Sequence, residues 1–383
     1  MAPSPTAASL PARPYYPALT GLRAVAAYLI FFMHFWPVGA PIWVQRILGQ
    51  MYLGVSMFFV LSGFVIATRY QGSVAFTGTW WRHYLWRRVA RIYPVYLLLN
   101  GLLLAHLYWP PAPGEATRSL GLVFLSQSLL RGFSSTLKFV GIPQSWSLTA
   151  EECFYFSAPL LLWMWQRWGR AGAAGFAGAI VGTGLLLTLL CAGHPALHGF
   201  FGSYYHLFNY TFFGRVLEFL LGVGLARWWA ARTGVRPTQW PWRTLLGGLL
   251  MCTAVGLLAE LRSPRTFADG LLHPGAIVLN NVFFPLGVTL LLAGLLAERS
   301  WLRVALASRL MQALGRSSYF FYLVHVGVFS IWWQGQFRAS VGTGWQFLAT
   351  VAVAELGYRF LEEPLRRWVL ARALAQPVGA LRV

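Results

Sequence analysis

Residues 21–36 read GLRAVAAYLIFFMHFW, an apolar stretch typical of a membrane-crossing helix that nevertheless contains Arg23 and His34. Eleven steps of about 100° bring a helix back to within about 20° of its starting direction, some 16 Å along its axis. We therefore expect both side chains on one helix face. Charged and titratable groups inside a membrane span are costly, so their presence favours a functional role. The alternative is that Arg23 reaches the interface and His34 bonds a nearby backbone carbonyl.

The rest of the chain has the composition of a membrane protein. Hydrophobic residues make up 57% of its 383 residues and charged residues only 10%, whereas soluble proteins carry about 25% charged residues. The predicted fold class is all-α, a polytopic transmembrane helix bundle. Apolar runs predict about ten spans, at 16–36, 50–69, 84–108, 147–167, 171–191, 207–230, 243–260, 275–297, 315–335 and 343–371. We expect one membrane domain over 16–371, with cytoplasmic tails at 1–15 and 372–383.

The basic residues predict the orientation of the bundle. The net charge is +20, but the basic residues are spread over the loops, so we expect no nucleic-acid partner. With both termini in the cytoplasm, 21 of the 30 basic residues lie on the cytoplasmic side and seven on the outer side. The positive-inside rule therefore predicts both termini on the cytoplasmic side. It places Arg23 nearer the cytoplasm and His34 nearer the outer face.

Motifs of several other classes are missing from the sequence. The eight histidines show no HExxH or paired spacing and the three cysteines form no CxxC, so we predict no metal site. Neither GxSxG nor GxxxxGK[ST] occurs, which argues against a hydrolase nucleophile elbow and against ATP-driven work. No cofactor is expected.

Two clusters of polar residues flank predicted spans and suggest chemistry. In RRVARIYP (87–94), Arg88 and Arg91 are three residues apart and share a helix face, and guanidinium forks suit phosphate groups. Ordinary anchoring at the cytoplasmic face would explain the same cluster. In QSWSLTAEECFYF (144–156), Glu151 lies at an outer helix start, where a carboxylate could orient His34; the alternative is that it only favours the helix N-terminus.

Further polar residues lie inside predicted spans. Arg215 and Glu218 are spaced i, i+3, and we interpret them as a structural ion pair rather than a substrate contact. His325 falls at mid-depth of the ninth span and is interpreted as a hydrogen-bonded core histidine. Pro364 is predicted to stop the last span.

Seven segments of the chain carry a family resemblance. They are YYPALTGLRAVAAYLIFFMHF, GVSMFFVLSGFVIA, RRVARIYPVY, WSLTAEECFY, GRVLEFLLGVGLA, GRSSYFFYLVH and YRFLEEPLRR, in order from about residue 15 to 368. Together they resemble the acyltransferase-3 family of integral-membrane O-acyltransferases. The resemblance implies transfer of an acyl group, commonly acetyl, from acyl-CoA as co-substrate to a hydroxyl of a carbohydrate such as a cell-surface glycan. It also implies a location in the cytoplasmic (inner) membrane.

The resemblance also implies roles for individual residues. It assigns essential roles to Arg23 and His34 in the first span. It associates Arg88 and Arg91 with binding of the acyl donor. It identifies Glu151 as the acid of the WSLxxE block. We expect His34 to act as general base on the acceptor hydroxyl and Glu151 to orient it. Arg23 would stabilise the thioester oxygen or guide the donor.

Two small residues of the second span complete the expected donor site. Ser62 and Gly63 of LSGF would allow close approach of this helix to the pantetheine arm. Helix packing around a small residue explains them equally well.

Two alternatives to glycan acylation remain from the sequence. The enzyme could tailor a secreted glycosylated small molecule such as an antibiotic. The chain could instead be a transporter of an acyl group or small anion, using Arg23 and Arg215 as anion sites.

Overall fold

The computed structural model describes residues 15–37, 39–108, 116–232, 237–261, 273–337 and 341–374. Within these ranges the chain is helical and contains no β-strand beyond two isolated bridges. The predicted all-α class is confirmed.

The helices follow the apolar runs of the sequence. They are α1 (Pro17–His34), α2 (Ile42–Leu48), α3 (Gly54–Tyr70), α4 (Gly78–Tyr108), α5 (Ala116–Gln127), α6 (Trp146–Cys191), α7 (Tyr204–Tyr210), α8 (Phe212–Ala230), α9 (Trp242–Leu261), α10 (Pro274–Val278), α11 (Phe284–Ala297), α12 (Trp301–Leu306), α13 (Arg309–Arg316), α14 (Ser318–Val324), α15 (Val328–Phe337), α16 (Thr343–Gly357) and α17 (Glu363–Leu374).

Six described segments are long and apolar enough to cross a membrane, so the protein is a multi-pass membrane protein. They are Pro17–His34, Ile42–Tyr70, Gly78–Tyr108, Pro143–Cys191, Trp242–Leu261 and Pro274–Ala297. The fourth segment contains α6, whose 46 residues are interrupted at Gly169 by a backbone with φ 59° and ψ −138°. Two helical arms therefore cover the two spans predicted for this region. The predicted span 315–335 is divided into shorter helices, whereas 343–371 is covered without a break by α16, a π-helical segment and α17.

Two prolines lie just beyond π-helical segments. Leu279–Phe283 precedes Pro285, and Tyr358–Glu362 precedes Pro364. The prediction that Pro364 stops the last span is wrong, because α17 continues to Leu374. A π turn shifts the backbone hydrogen-bond register, so the missing N–H of a proline that follows it is accommodated without ending the helix.

Glycines bring α3 and α8 into direct backbone contact. A Cβ on Gly63 would collide with the carbonyl oxygen of Phe219, and one on Gly222 would collide with that of Val60. Small residues allow such close helix packing in membranes. The structure thus supports the packing explanation for Gly63, which is buried against α8. Its neighbour Ser62 turns instead toward an internal cavity.

Candidate active site

Three adjoining cavities run along the inner face of α1, from Arg23 to His34. The arginine vestibule has a volume of about 330 Å³, the central cavity about 70 Å³ and the His34 cavity about 460 Å³. The vestibule and the central cavity share four lining residues, Arg23, Val65, Arg88 and Arg91. The central and His34 cavities share Val55 and Tyr322. The expectation that Arg23 and His34 occupy one face of α1 agrees with this line of cavities.

The arginine vestibule is strongly basic. Seven arginines line it, against two glutamates. One of those acids, Glu363, is already bound by Arg366 at 2.8 Å. The arginines are Arg23, Arg69, Arg87, Arg88, Arg91, Arg316 and Arg366. Such a concentration of guanidinium groups favours a polyanionic ligand.

Arg88 is buried in this region without a carboxylate within ion-pair distance among the described residues. Its guanidinium lies 5.4–5.8 Å from the ring centres of Tyr70, Tyr84 and Tyr155, and it donates a 3.3 Å hydrogen bond to the Tyr70 hydroxyl. Its Nε has no hydrogen-bond partner within the part of the chain that the structure describes. Tyrosine rings hold the cation in place but leave donor capacity for an incoming anion. Arg91 lines the same two cavities one turn later, so the predicted shared face is confirmed.

The central cavity brings Arg23 and Glu151 together with Ser62. The Ser62 hydroxyl donates a 2.7 Å hydrogen bond to Glu151 Oε1, and the Tyr155 hydroxyl donates to the same oxygen. Arg23 Nε lies 3.4 Å from Ser318 Oγ, and its guanidinium is 5.8 Å from the Phe58 ring centre. No direct ion pair joins Arg23 to Glu151 in the described part of the chain. The carboxylate is thus fixed by two hydroxyl groups.

His34 has a different neighbour from the one predicted. Its Nδ1 lies 3.0 Å from the Ile30 carbonyl oxygen and 3.3 Å from Nε2 of His325. The prediction that Glu151 orients His34 is wrong, because the Glu151 hydrogen bonds go to Ser62 and Tyr155 in the central cavity. The predicted core position of His325 is confirmed, since its side chain is fully buried and its Nδ1 lies 2.9 Å from the Tyr322 carbonyl oxygen.

The His34 cavity is lined by aromatic rings and by three buried amides that sequence reasoning missed. Trp146 and Tyr210 meet edge to face at 4.9 Å beside it. Gln144, Asn209 and Asn280 are at most 4% exposed, and their side-chain oxygens have no hydrogen-bond partner in the described structure. Buried polar groups are normally satisfied. Polar residues within apolar segments were the signal that could have identified them.

The amide nitrogens of these three residues are all used by the protein. Gln144 donates to the Tyr322 carbonyl at 2.7 Å, Asn209 to the Tyr205 carbonyl at 2.9 Å and Asn280 to Asn281 Oδ1 at 2.6 Å. The groups left without a partner are therefore hydrogen-bond acceptors. A ligand that satisfies them must donate hydrogen bonds.

Two cationic side chains line the His34 cavity, and each already donates hydrogen bonds to other groups of the protein. Arg215 donates to Glu218 at 2.8 Å and to Ser56 Oγ at 2.7 Å, and both charged side chains are at most 1% exposed. The predicted structural ion pair is confirmed. Lys138 donates to the Ser135 carbonyl and lies 5.0 Å from the Tyr210 ring centre, and burial lowers the pKa of its ammonium group.

Comparison with known proteins places the chain in a family. An acyltransferase-domain family model matches residues 16–356. The acyltransferase MdmB of Streptomyces mycarofaciens is 31% identical over 81% of this chain and 78% of its own length. Nodulation protein 10 of Rhizobium leguminosarum bv. viciae is 26% identical over 55% of this chain and 66% of its own length.

A longer relative extends the match, although no solved structure matches the chain. It is a Staphylococcus aureus protein named provisionally as an O-acetyltransferase, 23% identical over 92% of this chain and 58% of its own length. With the family model covering most of its residues, the chain belongs to the acyltransferase-3 family and is an integral-membrane acyltransferase.

Proposed function

We propose that this enzyme moves an acyl group, acetyl in the simplest case, from acyl-CoA to a hydroxyl of a carbohydrate. The observation that carries the proposal is the line of three cavities, which joins an arginine-rich opening to a histidine. The two substrates would enter from opposite ends and meet near Val55 and Tyr322, where the central and His34 cavities adjoin.

Acyl-CoA would bind with its phosphates in the arginine vestibule. Arg88 and Arg91 border both the vestibule and the central cavity, so they can hold phosphate oxygens while the pantetheine arm extends inward. Charge-assisted hydrogen bonds of this kind are stronger than hydrogen bonds between neutral groups. Ser62, on the wall of the central cavity, would lie along the arm.

His34 would act as general base at the far end of the passage. Its imidazole takes the proton of the acceptor hydroxyl as the oxygen attacks the thioester carbon. A new C–O ester bond forms, the C–S bond breaks, and the proton passes from the imidazolium to the departing CoA sulfur. The products are the acylated acceptor and free CoA thiol, so neither an oxidant nor a metal is needed for the balance.

Arg23 would guide the pantetheine arm of the donor toward His34, because it lies about 16 Å along α1 from His34 and is therefore too far from the reacting carbon to stabilise the thioester oxygen. It lines both the vestibule and the central cavity, between the phosphates and the reacting carbon. Glu151, held by Ser62 and Tyr155, would set the electrostatic balance around Arg23 rather than act on His34.

The acceptor is proposed to be a sugar. Gln144, Asn209 and Asn280 offer three unpaired carbonyl-type oxygens, and the aromatic rings of Trp146 and Tyr210 offer apolar faces. A sugar ring supplies hydroxyl donors for the first and C–H faces for the second. This chemistry would suit a cell-surface glycan or a secreted glycosylated small molecule such as an antibiotic.

The proposed topology has about ten spans in the cytoplasmic membrane, with both termini inside. The division of basic residues and the arginine vestibule both support a cytoplasmic donor side. A reporter that is active only outside the cytoplasm should be silent when fused after Val383 and active when inserted within 109–146. The reverse pattern would place His34 on the wrong side of the membrane for this mechanism.

Mass spectrometry of cells with and without the gene tests the proposed function. Ester-linked acyl groups should disappear from an envelope glycan in the deletion strain and return with the wild-type gene, but not with His34→Gln. Loss of the ester from a secreted glycosylated metabolite would assign the small-molecule acceptor instead. Unchanged acylation of both classes in the deletion strain would contradict a carbohydrate acceptor.

A further inference from the structure

We infer that His325 is the positioning residue for His34 and fixes which imidazole nitrogen takes the acceptor's proton. This inference rests on the proposed role of His34 as base. The two histidines are 291 positions apart in the chain, on α1 and at the end of α14, yet their rings lie 5.2 Å apart and their nitrogens 3.3 Å apart. His34 lines the cavity proposed for the acceptor, whereas His325 is fully buried behind it and does not line it.

The neighbouring carbonyl groups determine where the protons are. His325 Nδ1 lies 2.9 Å from the Tyr322 carbonyl oxygen, so it must carry a hydrogen, because a carbonyl can only accept. In the neutral ring, His325 Nε2 then carries a lone pair. His34 Nδ1 lies between that lone pair and the Ile30 carbonyl oxygen at 3.0 Å, so it must also carry a hydrogen.

The opposite arrangement would place acceptors against acceptors. A lone pair on His34 Nδ1 would face the Ile30 oxygen, and a lone pair on His325 Nδ1 would face the Tyr322 oxygen. A doubly protonated His325 would bury a charge and would still leave the first of these repulsions. One neutral arrangement therefore satisfies all three contacts, and it leaves the lone pair of His34 on Nε2.

This arrangement prepares His34 for proton transfer. When Nε2 takes the acceptor's proton, the ring becomes positively charged and its Nδ1–H bond to His325 Nε2 and the Ile30 carbonyl strengthens. Glu151, the acid predicted to perform this task, is occupied with Ser62 and Tyr155. His325 supplies a neutral acceptor in its place, in a buried position where a carboxylate would be costly.

The surroundings of His325 hold its ring in a fixed orientation. Phe321 stacks on it with ring planes 8° apart and centres 6.0 Å apart. The Tyr322 carbonyl also accepts from Gln144 at 2.7 Å, which ties the carbonyl to the wall of the His34 cavity. The acceptor for His34 is thus fixed before substrate arrives.

Replacing His325 with phenylalanine and with glutamine tests the inference. Phenylalanine keeps the ring and its stacking but offers no acceptor, so His325→Phe should lower kcat about 10- to 100-fold, which is the value of a hydrogen bond to a charged group. The KM values for acyl-CoA and acceptor should stay unchanged. Glutamine places an amide oxygen near the position of Nε2, so His325→Gln should recover most of the lost kcat.

The control variant separates failure of this inference from failure of the proposed function. If His34→Gln is inactive while His325→Phe has wild-type kcat, the inference falls and the general-base role of His34 stands. If His34→Gln is fully active, the base assignment itself is wrong. Equal loss of kcat in His325→Phe and His325→Gln would show a packing role only and would also overturn the inference.

A spectroscopic measurement covers the case in which His325→Phe does not fold. Nitrogen-15 NMR of the histidine-labelled wild-type protein, with the His34 signals identified by their loss in His34→Gln, reports the tautomer directly. We expect neutral His34 with its hydrogen on Nδ1. A hydrogen on Nε2 would contradict the inference.

Discussion

Arg88 and Arg215 are both buried arginines, but the structure surrounds them differently. Arg215, beside the His34 cavity, is bound by Glu218 at 2.8 Å and by Ser56. Arg88, beside the arginine vestibule, lies among three tyrosine rings and has no carboxylate at ion-pair distance among the described residues. A buried charge that is already paired attracts a further ion only weakly, whereas one held by aromatic rings keeps hydrogen-bond donors that an anion could use.

The same contrast holds for the two ends of the passage as a whole. The vestibule has seven arginines and two glutamates, and so it favours an anionic substrate. The His34 cavity has its arginine paired, and its unpaired groups are neutral oxygens that need hydrogen-bond donors. One end would therefore suit a charged ligand and the other a ligand rich in hydroxyl groups, as the proposed acyl transfer requires.

The largest effect should come from changing His34, at the acceptor end of the passage. His34→Gln keeps hydrogen bonding but cannot accept the proton, so kcat should fall about 10²- to 10⁴-fold. The protein should still fold, because His34 is only partly buried. The measurement is acyl transfer by membranes containing equal amounts of each variant. Turnover at the wild-type rate would show that His34 is not the general base, and Glu151 would become the next candidate for that role.

The contrast between the two arginines predicts different stability losses. Arg215→Met leaves Glu218 buried and unpaired, which should cost about 3–5 kcal/mol of unfolding free energy. The double variant Arg215→Met with Glu218→Leu should recover much of this loss. Arg88→Met leaves no buried acid behind and should cost less than Arg215→Met. Thermal unfolding of purified protein in detergent measures all three, and equal losses for the two single variants would break the comparison.

The vestibule prediction concerns donor affinity. Replacing Arg88 and Arg91 together with alanine should raise the KM for acyl-CoA about tenfold or more, since a charge-assisted contact contributes about 1.5–3 kcal/mol. The KM for the acceptor should not change. Arg309→Ala is the matched control, because Arg309 is exposed at the start of α13 and does not line the vestibule. Unchanged binding of acyl-CoA to the double variant would mean that Arg88 and Arg91 only anchor the helix at the cytoplasmic face of the membrane.

The smallest expected effect is on the KM for the acceptor, measured after a substitution in the His34 cavity. Asn209→Leu removes one unpaired oxygen from the His34 cavity, so the acceptor KM should rise roughly three- to tenfold, the value of one neutral hydrogen bond. The KM for acyl-CoA should stay the same. Thr188→Val is the control. The Thr188 hydroxyl is also buried without a hydrogen-bond partner among the described residues, but Thr188 does not line this cavity. An equal rise in both variants would argue against hydroxyl recognition by Asn209.

Sequence reasoning reached the features that depend on a single helix. Periodicity placed Arg88 with Arg91, and i, i+3 spacing paired Arg215 with Glu218. The helical pattern of the chain and its family also followed from local motifs. These predictions succeeded because spacing along one helix determines which side chains share a face.

The contacts between distant helices could not be obtained in this way. The partner of His34 is His325, at the other end of the sequence, and not Glu151. The three amides of the His34 cavity come from separate segments. Periodicity says which face of a helix is polar but not which other helix covers it. The π turn before Pro364 was missed because its hydrogen-bond shift leaves no mark in the hydrophobic pattern.

The most direct test of the account is the sidedness of the reaction. Purified enzyme in oriented proteoliposomes would receive acyl-CoA on one face and a soluble sugar acceptor on the other, with the membrane sealed to both. We predict ester formation only when acyl-CoA is on the face of the arginine vestibule and the acceptor is on the opposite face. Transfer that occurs only when both substrates share one face would contradict a passage that joins the two ends.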